Sequence, residues 1–162
     1  MTNREFFIKR WSEEYPVFLR VFKALPEKQF DYRPHARSRS ADELLSLLVT
    51  EEQCNSELID TGQINWKEPS AAKNLSQTVG SFEKAHQELE KRLKKLDDAT
   101  WEKKKAKLLV EGKVVLEELF CDMFWMTLFD MIHHRGQLST YIRPMGGKVP
   151  SIYGPSADDM GT

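Results

Sequence analysis

The 162-residue chain has only two cysteines, almost no net charge and no long uninterrupted apolar run. Each shortage removes a class of function. With 24 basic against 25 acidic residues, the formal charge of −1 provides no global field to draw in nucleic acid or an anionic membrane. The basic runs Lys91 to Lys95 and Lys103 to Lys105 read as solvated faces rather than a phosphate track. Cys54 and Cys121, in a chain with no charged-then-apolar signal segment at its start, fit a reducing cytoplasm. Neither has the positively charged setting that activates a thiol, so both read as small buried residues. The most apolar stretch, Val114 to Ile132, is broken by Glu117, Glu118, Asp122 and Asp130, which makes it a buried helix and not a membrane span.

What is present is helical periodicity. A single domain over residues 1–162 is large enough for a real core. Phe7, Trp11, Tyr15, Phe18, Leu19 and Phe22 share one face of a helix from about Arg4 to Leu25, with a kink expected at Pro16. Ser40 and Glu43 are placed as a capping box for a second helix running to about Asp60, whose core stripe is Leu44, Leu47, Leu48, Glu51, Asn55, Leu58 and Ile59. After a turn-like segment from Thr61 to Ser70, Val79, Phe82, Leu89, Leu93 and Leu96 predict a third helix from about Leu75 to Leu96, with His86 at its flank. Lys107 to Val115, around Glu111-Gly112, reads as a short hairpin or an extended crossover. The fourth and longest helix is expected from Leu116 to about Met145, before Gly146-Gly147, with a surface tail from Val149 to Thr162. Four such segments without a sustained strand pattern predict an all-α four-helix bundle.

The fourth helix carries the chemistry. Its stripe Leu116, Leu119, Phe120, Met123, Met126 and Thr127, expected to face the core, turns polar at Asp130 and continues through His134, Gln137 and Tyr141. A carboxylate and an imidazole at i and i+4 can offer two ligands to one ion, and Glu51 is the acid at the centre of the second helix's apolar stripe. If the two levels align, three donors converge, and two close carboxylates then need a metal, a retained proton or a charged imidazole between them. A satisfied hydrogen-bond network that only sets helix register is the alternative. His133 points about a third of a turn away and reads as an outer partner or interface residue. Gln137 and Tyr141 are pocket or supporting residues, and Arg135 and Arg143 read as surface or tail-anchoring groups. Trp125, Phe129 and Ile132 make the opposite face apolar as well, which predicts a homodimer interface there, unless the hairpin or tail covers it through Ile152 and Tyr153.

His134-Arg-Gly-Gln-Leu-Ser-Thr-Tyr-Ile-Arg-Pro-Met, with the tail Val149-Pro-Ser-Ile-Tyr-Gly-Pro-Ser-Ala-Asp158, resembles the DinB-like (YfiT-related) superfamily. Leu25-Pro-Glu to Pro34-His, Arg39 to Leu44, and Glu51-Glu52 extend the likeness over nearly the whole chain. The resemblance implies a four-helix bundle with a long crossover, often dimeric, and often a divalent metal held by three histidines. It also implies either transfer of low-molecular-weight thiols or metal-dependent hydrolysis. Of the implied ligands, His134 matches, Asp130 stands in place of the second histidine, and Leu47 falls where the third would be. Glu51, one turn beyond Leu47, is the candidate substitute, giving an oxygen-rich site suited to manganese, iron or magnesium. The competing expectation is a metal-free, non-catalytic dimer that binds a small molecule in the same pocket.

Overall fold

The computed structural model describes residues 1–161. Helix α1 (Asn3–Lys23) starts at a Thr2–Glu5 capping box, in which the Thr2 N–H donates to Glu5 Oε2 at 2.8 Å, and it carries Pro16 inside it. Helix α2 (Ala41–Thr61) opens as expected, the Ser40 N–H donating to Glu43 Oε2 at 2.8 Å. It ends at Gly62, whose φ of 81° is the left-handed conformation that glycine adopts at least cost. That turn sends the chain directly into strand β1 (Gln63–Trp66). Helix α3 (Leu75–Leu93) follows, then the short helix α4 (Asp98–Lys103), strands β2 (Lys105–Val110) and β3 (Lys113–Leu119), and helix α5 (Phe120–Tyr141).

Among the described residues there are thus five α-helices and a three-stranded sheet, and the all-α expectation is corrected to a mostly helical fold. The hairpin β2–β3 turns at Glu111-Gly112, where both residues have positive φ, 50° and 75°. Strand β1 joins it in parallel, with Ile64 opposite Leu108 and Trp66 opposite Val110. This pairing links segments more than 40 residues apart by register (Gln63 to Lys107), so the local pattern of Thr61 to Ser70 looked like a turn. Strand β3 also takes Leu116 and Leu119 from the expected start of the last helix, which begins instead at Phe120.

Helices α1, α3, α2 and α5 touch in a closed ring, α1 on α3, α3 on α2, α2 on α5 and α5 on α1. Their core falls into two clusters. One gathers Phe18, Phe22, Leu44, Leu48, Phe82 and Leu138, and the other gathers Phe7, Trp11, Leu58, Leu89, Trp101 and Phe124. Where one cluster gives way to the other along each of the four helices lie polar side chains: Glu14 on α1, Glu51 and Glu52 on α2, His86 on α3, and Asp130 on α5, with His134 and Arg135 one turn further on. Among the described residues no helix is long and apolar enough to cross a membrane.

Candidate metal centre

Two consecutive acids of α2 meet opposite fates, because successive helical residues point about 100° apart. Glu52 turns toward α1 and α3 and is fully buried, yet it is compensated. The Trp11 indole N–H donates to both its oxygens at 3.1 and 3.3 Å, and His86 Nδ1 lies 2.8 Å from Oε1. The His86 ring is itself sandwiched between Trp11 and Tyr15, each at a centroid distance of 3.8 Å. Glu51 turns the other way, toward α5. It is only 5% exposed, and its Oε2 has no hydrogen-bond partner among the described residues.

What Glu51 faces is Asp130 and His134. One donor atom from each of the three side chains lies within 4.8 Å of the others, with His134 Nε2 3.6 Å from Asp130 Oδ1. Burial, reinforced by the Asp130 charge, pushes the Glu51 carboxyl up to about 9, against a smaller downward pull from Arg39. Gln137 supports the group from the next turn, its Oε1 lying 2.8 Å from His134 Nδ1. If the Gln137 oxygen accepts an Nδ1–H, Nε2 is the nitrogen left to ligate an ion. The donor set fits a divalent cation: two carboxylates, an imidazole with its second nitrogen held, and a buried oxygen with nothing yet to satisfy it.

The three residues line part of a cleft of about 710 Å³. Leu47 and Cys54 of α2 form one wall, with Ile64, Trp66, Leu108 and Val110 of the sheet beside them. Met123, Met126 and Phe129 of α5 form the other wall, and Arg39, Thr127 and His133 are the remaining polar contributors. Burial, reinforced by the nearby Glu57 charge, pushes the Cys54 thiol up to about 12, so it is a wall and not a nucleophile. Cys121 is raised too, by burial and by Asp122.

Several expected placements change. The stripe through Asp130 and His134 borders the cleft rather than the core: Asp130 is exposed at its mouth and His134 is half-buried. The core face of α5 runs one position away, through Phe124, Leu128, Met131, Arg135 and Leu138, because a helix apolar on nearly every side does not declare its inner face. Tyr141 is buried, its hydroxyl donating to the Arg39 carbonyl oxygen at 3.2 Å, so it braces the loop that presents Arg39. Phe129 is 62% exposed and lines the cleft itself instead of an opposite face. Trp125 stacks against Phe129 and packs on Phe6 and Phe7 of α1, while Ile152 packs on the first core cluster. Arg135, fully buried, pairs with Glu14 and donates to the Tyr153 hydroxyl oxygen at 2.6 Å, which pins the C-terminal tail on the far side.

Sequence reasoning missed the Glu52–His86–Trp11 network. A signal was present: Leu45, Leu48, Val49 and Glu52 repeat at helical spacing, so Glu52 sits on a second buried stripe of α2.

The chain belongs to the DinB family, whose profile matches residues 1–161. Among solved structures it is similar to a DinB-like protein of Bacillus subtilis, YjoA, with 17% identity and a TM-score of 0.67, over 86% of this chain and 92% of that one. At that identity the likeness bears on the fold alone. No curated protein matches the chain significantly.

The uncompensated acid has a pH signature. Its folded pKa of about 9 lies above the unfolded value of about 4.3, so between them the folded state keeps a proton that the unfolded chain releases. The ion-free protein therefore has this contribution in full below the unfolded pKa and loses it as pH rises through the folded one. Urea unfolding from pH 5 to 9, in the presence of chelator, is expected to show stability falling with pH. Glu51→Gln should flatten that decline; an equally steep decline in the variant would assign the effect elsewhere.

Proposed function

We propose that this chain is a metal-dependent enzyme acting on a small molecule, a thiol transferase or a hydrolase, with Glu51, Asp130 and His134 as the ion's protein ligands. The observation that carries the reading is the buried Glu51 carboxyl, whose Oε2 has no hydrogen-bond partner among the described residues and which lies with one oxygen within 4.8 Å of donor atoms of Asp130 and His134. Bound there, a divalent ion acts as a Lewis acid that lowers the pKa of a thiol or water brought to it. Glu51 supplies a preset oxygen from the rigid middle of α2, and its proton must leave as the ion arrives. Asp130, at the mouth, supplies a second oxygen that can move, and Gln137 keeps His134 turned so that Nε2 faces them. Two oxygens to one nitrogen suit manganese, iron or magnesium. The apolar walls offer surface to the organic part of a small substrate.

Two observations favour a second reading, a metal-free ligand-binding protein. A protonated Glu51 relieves its own repulsion with Asp130 without any ion, and Leu47 adds an aliphatic wall where the family resemblance implies a ligand. Elemental analysis of protein purified without a histidine tag or chelator separates the two. A stoichiometric metal, lost in both Asp130→Ala and His134→Ala, is the expected result. Sub-stoichiometric metal indifferent to either change selects the second reading.

We also propose that the active form is a homodimer whose interface runs beside the cleft along Phe6, Trp125 and the outer edge of Phe129, while Ile132, expected in that interface, packs instead on the two core clusters of its own subunit. Phe6 and Phe129 are 40% and 62% exposed, and Trp125 stacks on Phe129 and packs at a tilt against Phe6. Each such side chain, once fully buried, contributes about 1.5–3 kcal/mol. Sedimentation should show a dimer that a Trp125→Glu, Phe129→Glu pair dissociates; a wild type that remains monomeric at high concentration rejects the interface.

A further inference from the structure

The cleft beside the three donors is far more apolar than an ion site requires. Its volume of about 710 Å³ is in the range of about 300–1,000 Å³ typical of sites that enclose a small organic molecule. Three of the chain's exposed large apolar residues, Val110, Met126 and Phe129, converge on this cleft from the sheet and from α5. Leaving such groups in water is unfavourable unless something with apolar surface occupies the space.

Arg39 adds a direction. Among the side chains lining the cleft, it is the one with a permanent positive charge. Its backbone is held by the Tyr141 hydroxyl, so the loop that carries it is braced. Its guanidinium has five N–H donors, and among the described residues its one hydrogen-bond partner is Glu68. Glu68 is an exposed carboxylate outside the ring of lining residues. The remaining donors are available to an anionic group, and the charge balance favours one. A divalent ion neutralised by Glu51 and Asp130 leaves no net negative charge there to repel an acid.

We infer that the cleft binds an amphipathic acid, an alkyl or aryl body lying between the sheet and α5 with its anionic head held by Arg39 near the ion site. This names the substrate class of the proposed reactive centre and rests on that reading. Glu68 then acts as a competitor for Arg39, released when the acid enters.

Alkyl compounds serve as probes. Isothermal calorimetry with hexanoate, octanoate and decanoate, with decanol and with decylammonium, would be run on manganese-loaded and on chelator-treated protein. Decanoate is expected to bind with a gain of about fourfold in affinity per methylene over the series, and at least about tenfold more tightly than decylammonium to the loaded protein. Arg39→Gln should cost decanoate about tenfold while leaving decanol unchanged. Glu68→Gln, which frees Arg39, should move decanoate the other way, and Phe129→Ser should weaken acid and alcohol together. The inference is overturned by decylammonium binding as well as decanoate, by affinity independent of chain length, by Arg39→Gln and Glu68→Gln both being silent, or by no saturable binding. Manganese binding, followed separately by electron paramagnetic resonance of the free ion, keeps the two failures apart. Manganese without decanoate sinks the acid pocket alone, and decanoate without manganese sinks the metal reading alone.

Discussion

The constraint on which the molecule turns is the burial of two neighbouring carboxylates in the middle of α2. Leaving a buried polar atom unpaired costs about 1–3 kcal/mol, and more for a charge. Glu52 avoids that cost through Trp11 and His86, so three helices are tied together at one level. Glu51 does not avoid it. The same helix, within one residue, therefore holds an acid that is hydrogen-bonded by its neighbours and one whose Oε2 has no partner among the described residues and whose burial holds its proton on.

The rest of the architecture arranges itself around this polar level. Apolar clusters lie on either side of it, and every long helix contributes at least one polar group to it. Two of its pairs, Glu52 with His86 and Arg135 with Glu14, are closed within the protein and fix helix against helix. A buried pair of this kind adds little net stability against an apolar replacement, but it penalises any register in which a partner is lost. The height of Glu51 is thereby set by its neighbour's bonds. The third set, Glu51 with Asp130 and His134, opens on a cleft instead of closing, and the small sheet supplies the wall that makes the cleft deep.

The helices were legible from apolar spacing and caps: the Ser40–Glu43 box and the Leu75 start of α3 lie where the pattern puts them. The Glu111-Gly112 turn was legible from its residue types. Strand β1 was not, since its four residues gain their identity from a partner distant in the chain and carry almost no local signal. The meeting of Glu51, Asp130 and His134 followed from spacing once two helices were taken to align. Which side of α5 faced inward did not follow, because Phe124 and Phe129 are equally apolar in composition and only packing shows one buried and the other open. Glu52 and Arg135 were hidden for the complementary reason: a charged residue on a buried stripe reads as a surface residue until its partner, from another helix, is in place.

The account stands on Glu51 being neutral when alone and ionised by the arrival of a cation. Carbon-13 labelling of the glutamate side-chain carboxyls, with Glu51 assigned by its loss in Glu51→Gln, allows its titration to be followed by NMR. In ion-free protein the Glu51 carboxyl is expected to titrate near pH 9, and addition of diamagnetic zinc or magnesium at pH 7 should shift it to the ionised position. A carboxyl that titrates in the ordinary range without an ion, or that stays protonated when the ion is added, would contradict the account.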